Sequence, residues 1–328
     1  MTLLARSFLG AVALAVLVSG GVAGAVPGQT AGRSVRHLPG TSCTAFPANN
    51  VWHADIAALP VDPHSAQWVR DIGDVNLHPD FGPSYGAQPV PYGIPITYVS
   101  GAHPKVRVKF LYSSESDHVG YPLGSDTKIE GGSNADGDRH AIVVDRKTCR
   151  LYEVYDARHT SQGWTGGSGA TWSLDGNKLR PAGWTSADAA GLPIMPGLLR
   201  YDEVAAGHVD HAIRFTAPRT ARKYIWPARH EAGSESYPAY PPMGARFRLK
   251  ASYSPPASFG KAARVVVQAM KTYGLILADN GSPWYFQGEA STKWSDKMIA
   301  DLKGIPGSAF EAVDESSLEV SSSSARTS

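Results

Sequence analysis

The sequence predicts a mainly β protein: a two-sheet sandwich of jelly-roll type with a few peripheral helices. Three observations lead there. Charged residues are only 18% of the chain, whereas 34 glycines and 24 prolines punctuate it, a composition of many short strands and turns. Several segments alternate apolar and polar residues with period two. Turn residues separate these segments at intervals typical of sandwiches and barrels.

Residues 1–25 read as a signal peptide. Arg6 supplies a positive start, residues 8–18 form a short apolar core, and Ala23-Gly24-Ala25 offers a small-residue cleavage site. The apolar run is too short to span a bilayer. A secreted protein, extracellular or wall-associated, is therefore expected. Residues 26–42 read as a flexible linker without apolar period. Residues 43–318 read as a single β-rich domain and 319–328 as a disordered, serine-rich tail. Cys43 and Cys149 are the two cysteines, and outside the cell such a pair is expected to form one disulfide.

Within the domain, residues 62–73 form a short helix, with Asp62 as cap, Pro63 in the first turn and Trp68, Val69 and Ile72 on one face. Residues 105–112 alternate as a half-buried strand. Further strands are expected at 139–145, 150–155, 170–174, 209–216, 223–226 and 245–250. Ala262, Val265, Val266, Ala269, Met270 and Tyr273 make the apolar face of a long helix, with Ser258 as N-cap and Gly274 as its end. Residues 275–278 and 284–287 read as paired strands joined by an Asn280-Gly281 hairpin turn. A last helix covers 295–303, closed by Gly304.

The richest chemistry lies in residues 183–215, GWTSADAAGLPIMPGLLRYDEVAAGHVDHAIRF. Trp184 to Asp188 reads as a helix start, residues 192–199 as a buried crossing, and Arg200 to Glu203 as an acidic group before the Gly207 turn. His208 and His211 have metal-like spacing, but strand alternation sends their rings to opposite faces. The plain reading of His211 is a hydrogen-bonded core histidine. A second loop, residues 129–140, carries Glu130, Arg139 and His140. Its Asn134, Asp136 and Asp138 have the one–three–five spacing of a calcium loop, with Asp145 twelfth. Position six holds Arg139 instead of Gly, so a solvated polar turn is the preferred reading and calcium at Asp136 and Asp138 the alternative. No other metal or cofactor is expected.

Two carboxyls in unlike protonation states are the minimum equipment for glycoside hydrolysis. Asp188 and Glu203 are the candidate pair, Glu130 a substitute for either, and His140 and His211 the groups that orient them. Trp184, Trp172, Arg139 and Arg200 are the candidate substrate contacts, with Trp164, Trp226 and Trp284 as further wet-edged aromatics. Alternatively Arg139 and Arg200 neutralise a uronate while His211 or Tyr201 takes a proton, a lyase arrangement. For each carboxylate the competing structural reading is a salt bridge to Arg180, Arg200 or Arg214.

Other classes are excluded by what is missing. The formal charge is +2 with no basic block, which gives no footprint for nucleic acid. There is no G-x-S-x-G elbow, phosphate loop, dinucleotide fingerprint or H-E-x-x-H helix. After the leader no segment has transmembrane length, so no membrane insertion is expected.

The strings LRPAGWTSADAAGLPIMPGLLRYDEV, HAIRFT, YIWPARHE and PMGARFRLKASY, with FPANNVWHADIAALPVDPHSAQWV and LHPDFG nearer the start, resemble a widespread family of secreted bacterial proteins of unknown function. The resemblance spans residues 46–318. It implies an exported single-domain protein and carries over no catalytic residue. The expectation from the residues is a secreted carbohydrate-active enzyme with a polysaccharide substrate, a glycoside hydrolase before a polysaccharide lyase. The alternative is a non-catalytic module that binds polysaccharide or cell wall.

Overall fold

A computed structural model describes residues 35–84, 92–132 and 134–328, so the leader and most of the expected linker lie outside the described residues. Among these residues the strands are β1 (His78–Pro79), β2 (Ile96–Val99), β3 (Val108–Phe110), β4 (Ala141–Asp145), β5 (Arg150–Val154), β6 (Arg158–Thr160), β7 (Gly163–Gly166), β8 (Gly169–Ser173), β9 (Ile213–Ala217), β10 (Arg246–Leu249), β11 (Leu275–Asn280), β12 (Tyr285–Phe286) and β13 (Phe310–Val313). The α-helices are α1 (Ser65–Ile72), α2 (Tyr201–Ala206), α3 (Lys261–Thr272) and α4 (Asp296–Leu302). The β-rich class is as expected. The strands make three sheets instead of two, ordered β1-β12-β9-β11-β10-β13, β2-β4-β5-β8 and β3-β7-β6. Each sheet contains a parallel pair, among them β9 with β11 and β2 with β4.

Parallel pairs need both faces covered, and β9 and β11 meet that need in the middle of the largest sheet. All of β9 is buried, as is β11 through Ala278. Helix α3 connects β10 to β11 and lays Ala263, Val266, Val267, Ala269 and Met270 into the core. Gly274 then turns the chain from α3 into β11 at φ 68°, where a Cβ would collide with the Phe247 carbonyl. The β4–β5 hairpin is closed by Asp145, whose Oδ1 accepts the Lys147 and Thr148 amides at 2.9 and 3.2 Å. That use of Asp145 ties it to its own turn and not to the loop at 134–138.

Five local expectations change. Residues 275–287 are not a hairpin: β12 pairs with β9, and β9 separates it from β11. The chain after Asn280 crosses the end of β9, where the Gly281 amide meets the Ala217 carbonyl at 3.0 Å and the Thr216 hydroxyl the Ser282 carbonyl at 2.7 Å. Trp184 to Asp188 is a tight turn and not a helix start, because the Ser186 hydroxyl accepts the Asp188 amide (2.9 Å) and faces the Leu192 carbonyl at 2.6 Å. Residues 223–226 contribute only a bridge between Tyr224 and Met243. The expected tail at 319–328 is docked: Arg229 donates to the Ser322 carbonyl, Trp226 Nε1 to the Ser324 carbonyl (2.9 Å), and Ala325 is buried. These contacts run through the backbone, so serine-rich composition did not reveal them. At the other end, packing begins before Cys43, with Leu38 already buried.

Cys43 and Cys149 form the expected disulfide, at a separation of 106 residues. It fastens the entry of the chain to the β4–β5 turn. No helix among the described residues is long and apolar enough to cross a membrane. Replacing both cysteines by serine should lower unfolding free energy by roughly 4 kcal/mol, the loop-closure value for so long a loop. Urea unfolding checks this, and an unchanged midpoint would show that the bridge contributes no such constraint.

Candidate functional site

Ligands of parallel strands gather outside their carboxyl ends, and two polar cavities lie there. The carboxyl ends of β9 and β11 bring Thr216, Asp279 and Asn280 together. A β-bulge at Ala278 interrupts the ladder, so that Leu277 pairs with Phe215 and Asp279 with the next residue, Thr216. The bulge re-aims Asp279 out of the sheet's alternation. It is held by the Ala278 carbonyl, which accepts the Ala190 amide at 2.8 Å. Around Asp279 lie two lobes. The inner one, about 250 Å³, is lined by Asp80, Glu130, Asp138, His140, Arg214, Tyr285 and Gln287 among others. The outer one, about 390 Å³, is lined by Tyr112, Glu115, Tyr155, residues 185–189 and His230. Asp138, Asp279 and Asn280 belong to both.

Glu130 and His140 form the first element of chemistry. His140 Nδ1 lies 2.6 Å from Glu130 Oε2, and its Nε2 lies 3.1 Å from the Ala187 carbonyl. Both ring nitrogens face acceptors, so both carry hydrogen and the ring is an imidazolium. Burial alone would drive its pKa down, but the Glu130 charge and hydrogen bond outweigh burial and push it up to about 9. Glu130 responds in kind. Burial raises it, His140 overrides burial, and the carboxyl is held below its usual range. The backbone locks the pair, with the Glu130 amide on the His140 carbonyl at 3.0 Å and the His140 amide on Glu130 Oε2 at 3.3 Å.

The second element is a buried chain of polar groups beneath the cleft. Arg214 on β9 meets Asp188 through Nε (2.8 Å) and Nη2 (2.7 Å), a two-pronged pair with almost no exposure on either side. Its Nη1 reaches Gln287 Oε1 at 2.6 Å. Gln287 Nε2 then faces Asp80 Oδ2 at 3.4 Å, and the Tyr92 hydroxyl donates to Asp80 Oδ1 at 3.0 Å. Glu153 on β5 is fully buried and accepts the Ile194 and Met195 amides at 2.8 Å each. Burial pushes its carboxyl up to about 7 against those bonds.

Asp279 is the group left between these elements. Its Oδ1 accepts the Asn280 amide at 2.7 Å, and its Oδ2 stands 3.7 Å from Arg214, whose guanidinium is already engaged by Asp188. The side chain keeps 27% of its surface exposed. Burial, reinforced by the Asp188 charge and only partly offset by Arg214, pushes its pKa up to about 7. The cleft therefore holds one carboxyl drawn below its usual range and another pushed up to about 7.

The remaining candidates fall elsewhere. Glu203, at the first turn of α2, is buried with Arg200 and His211, whose Nε2 lies 3.0 Å from Glu203 Oε2 and Nδ1 2.7 Å from the Ala212 carbonyl. Burial would raise Glu203, but Arg200 and His211 bring it down to about 2. This is the core-histidine arrangement, and it shares no residue with the cleft. Asp188 and Glu203 thus sit in separate ion networks. Of the stretch 183–215, the end around Thr185–Asp188 meets the Glu130–His140 loop, and the end around Arg200–His211 does not.

Arg139 is buried and donates to the Ala157 carbonyl (3.2 and 3.1 Å) and the Ala135 carbonyl (2.6 Å), shaping the loop it stands in. Trp172 (5% exposed), Trp164 (7%) and Trp284 (0%) are packed away. Trp184 and Trp172 flank the Arg180 guanidinium, at 5.5 and 5.7 Å, which itself binds Asp117. Asp136 and Asp138 are exposed, and among the described residues no three His, Cys, Asp or Glu side chains gather to hold a metal.

Sequence reasoning missed Asp279, Asp80 and Gln287, and treated Arg214 only as a salt-bridge partner. The available signal was a carboxylate directly after a continuous apolar strand, Leu275–Ala278. Reading Asn280-Gly281 as a hairpin concealed it. Comparison with known proteins adds nothing to the geometry: no protein family, no curated protein and no solved structure matches the chain.

Two outcomes follow. Asp188→Ala strands the Arg214 charge in the interior and should cost about 3–5 kcal/mol in urea unfolding; a loss below 1 kcal/mol would contradict the buried pair. His140 has a raised folded pKa, so its contribution is complete below pH 6.5 and fades as pH climbs through about 9. His140→Gln should remove that alkaline decline from the curve of stability against pH. The same decline in the variant would assign it to another group.

Proposed function

We propose that the protein is a secreted carbohydrate-active enzyme, a glycoside hydrolase, in which Asp279 donates the proton and Glu130 is the ionised partner. The observation that carries this reading is the pair of unlike carboxyl environments in one cleft. Environments that push two carboxyls apart assign acid and base roles in such enzymes. Asp279, protonated near neutrality and exposed at the meeting of the lobes, suits the leaving oxygen of a glycosidic bond. Glu130 is fixed by His140 through Oε2, and its Oε1 has no partner among the described residues, which leaves that atom for the anomeric side. His140 positions Glu130 and, with its own protons committed, does not act as a base. Asp188, Glu203 and His211 support the frame, Asp188 also by holding Asp279 protonated.

The lyase reading has less support, because Arg139 and Arg200 are occupied by carbonyls and by Glu203. A pure binding module has less support as well, because three candidate stacking tryptophans are buried. The leader-like start and the disulfide are consistent with the secreted setting.

Asp279→Asn should cut polysaccharide cleavage by about 10²–10⁴-fold, read as new reducing ends. Because the wild-type carboxyl ionises unfavourably above its folded pKa of about 7, the variant should be no less stable than wild type at pH 8. Wild-type activity should fall above that same pH. Full activity in Asp279→Asn would remove Asp279 from the mechanism, and ultraviolet-absorbing unsaturated products would indicate a lyase.

A further inference from the structure

We infer that the substrate is a chain lying through both lobes of the cleft and crossing at Asp279, so that it is cut internally, and that this chain is not a polyuronate. The scission part rests on the hydrolase reading; the mode of binding does not. A site that trims chain ends has room on one side of its acid and a wall on the other. Here space lies on both sides of Asp279, about 250 Å³ inward and about 390 Å³ outward, with Asp138, Asp279 and Asn280 shared between them.

Each lobe carries its own aromatic surface. In the inner lobe Tyr285 is stacked on His78, ring centroids 4.0 Å apart and planes 8° from parallel, which fixes the attitude of the tyrosine ring. In the outer lobe Tyr112 and Tyr155 take that place. Aromatic rings on either side of the acid are what a sugar chain needs to stack at both ends of the bond being cut.

Charge then restricts the sugars. The positively chargeable residues lining the lobes are His140, Arg214 and His230. His140 is paired with Glu130 and Arg214 with Asp188, while His230 faces the Ala189 carbonyl (2.8 Å) and Glu115 (3.8 Å). Among the described residues no lysine lines either lobe. Against these stand Asp80, whose hydrogen bonds among the described residues are to the neutral Tyr92 hydroxyl and Gln287 amide and whose charge is felt by His78, and Asp138, whose carboxylate has no hydrogen-bond partner among the described residues. A uronate would bring further negative charge to a cleft with no uncommitted cation to receive it. A neutral or amine-bearing sugar meets no such penalty.

The test uses Asp279→Asn protein, to stop turnover, titrated calorimetrically with cello-oligosaccharides, chito-oligosaccharides and oligogalacturonates of increasing length. Two further variants block one lobe each at exposed positions, Ser282→Trp inward and Ala232→Trp outward. Affinity for a neutral or amine-bearing ladder should rise about tenfold or more with length, and either block should return the long oligomers to the affinity of the short ones. Oligogalacturonates should bind weakest. On the matching polymer, wild-type enzyme should lower viscosity well before reducing ends accumulate. Length-independent binding, a harmless block on either side, preference for oligogalacturonate, or no binding by any ladder overturns the inference. Release of single sugars from chain ends overturns it while sparing the hydrolase reading. Two-lobe binding without cleavage by wild type upholds the binding mode and rejects the hydrolase.

Discussion

The pair between Asp188 and Arg214 is the interaction on which the rest of the cleft depends. Two charges in a nearly water-free interior are tolerable only when each satisfies the other, and here both guanidinium edges used are matched by both carboxylate oxygens. The pair joins a non-repetitive segment, residues 183–191, to a central strand. That segment has no ladder of its own; its order comes from Arg214, from the Ala187 carbonyl on His140 and from the Ala190 amide on the β11 bulge. Through Gln287 the same guanidinium reaches Asp80 on the far side of the cleft. One buried cation on β9 therefore positions groups from three other parts of the chain.

The electrostatics of the site follow from that commitment. Burial raises the Asp279 carboxyl, the Asp188 charge adds to that, and Arg214, already engaged by Asp188 and 3.7 Å away, offsets them only in part. Glu130 has a cation to itself in His140. Two carboxyls that line one cleft are thus pushed in opposite directions, Glu130 down and Asp279 up. A carboxyl raised in this way and set in a cleft is what marks Asp279 as a candidate site residue.

Much of the fold was legible in the sequence. The strands β4, β5, β8 and β10 and the helices α1, α3 and α4 lie where the apolar patterns put them, although α1 starts after His64 and α3 after Gly260 instead of at the expected caps Asp62 and Ser258. The sheet order was not legible. Nothing local tells that the chain after Asn280 steps over β9, or that β9 and β11 run parallel, because both facts depend on pairings sixty residues apart. For the same reason Glu130, His140 and Asp188 were recognisable as polar residues in irregular stretches, but Asp279 was hidden in a presumed hairpin and aimed by a bulge. Glu203 and His211 looked equally promising from sequence; only burial and pairing separate them from the cleft.

The central claim is that the Asp279 carboxyl is raised to about 7, so that it keeps a large share of its proton at neutral pH. Carbon-13 carboxyl NMR, with the Asp279 resonance assigned by its loss in Asp279→Asn, measures this directly. The account expects a titration midpoint near about 7, against 3.8 for an ordinary aspartate, and a lower midpoint when Asp188 is made neutral in Asp188→Asn. A midpoint near the ordinary value in the wild-type protein would contradict the account.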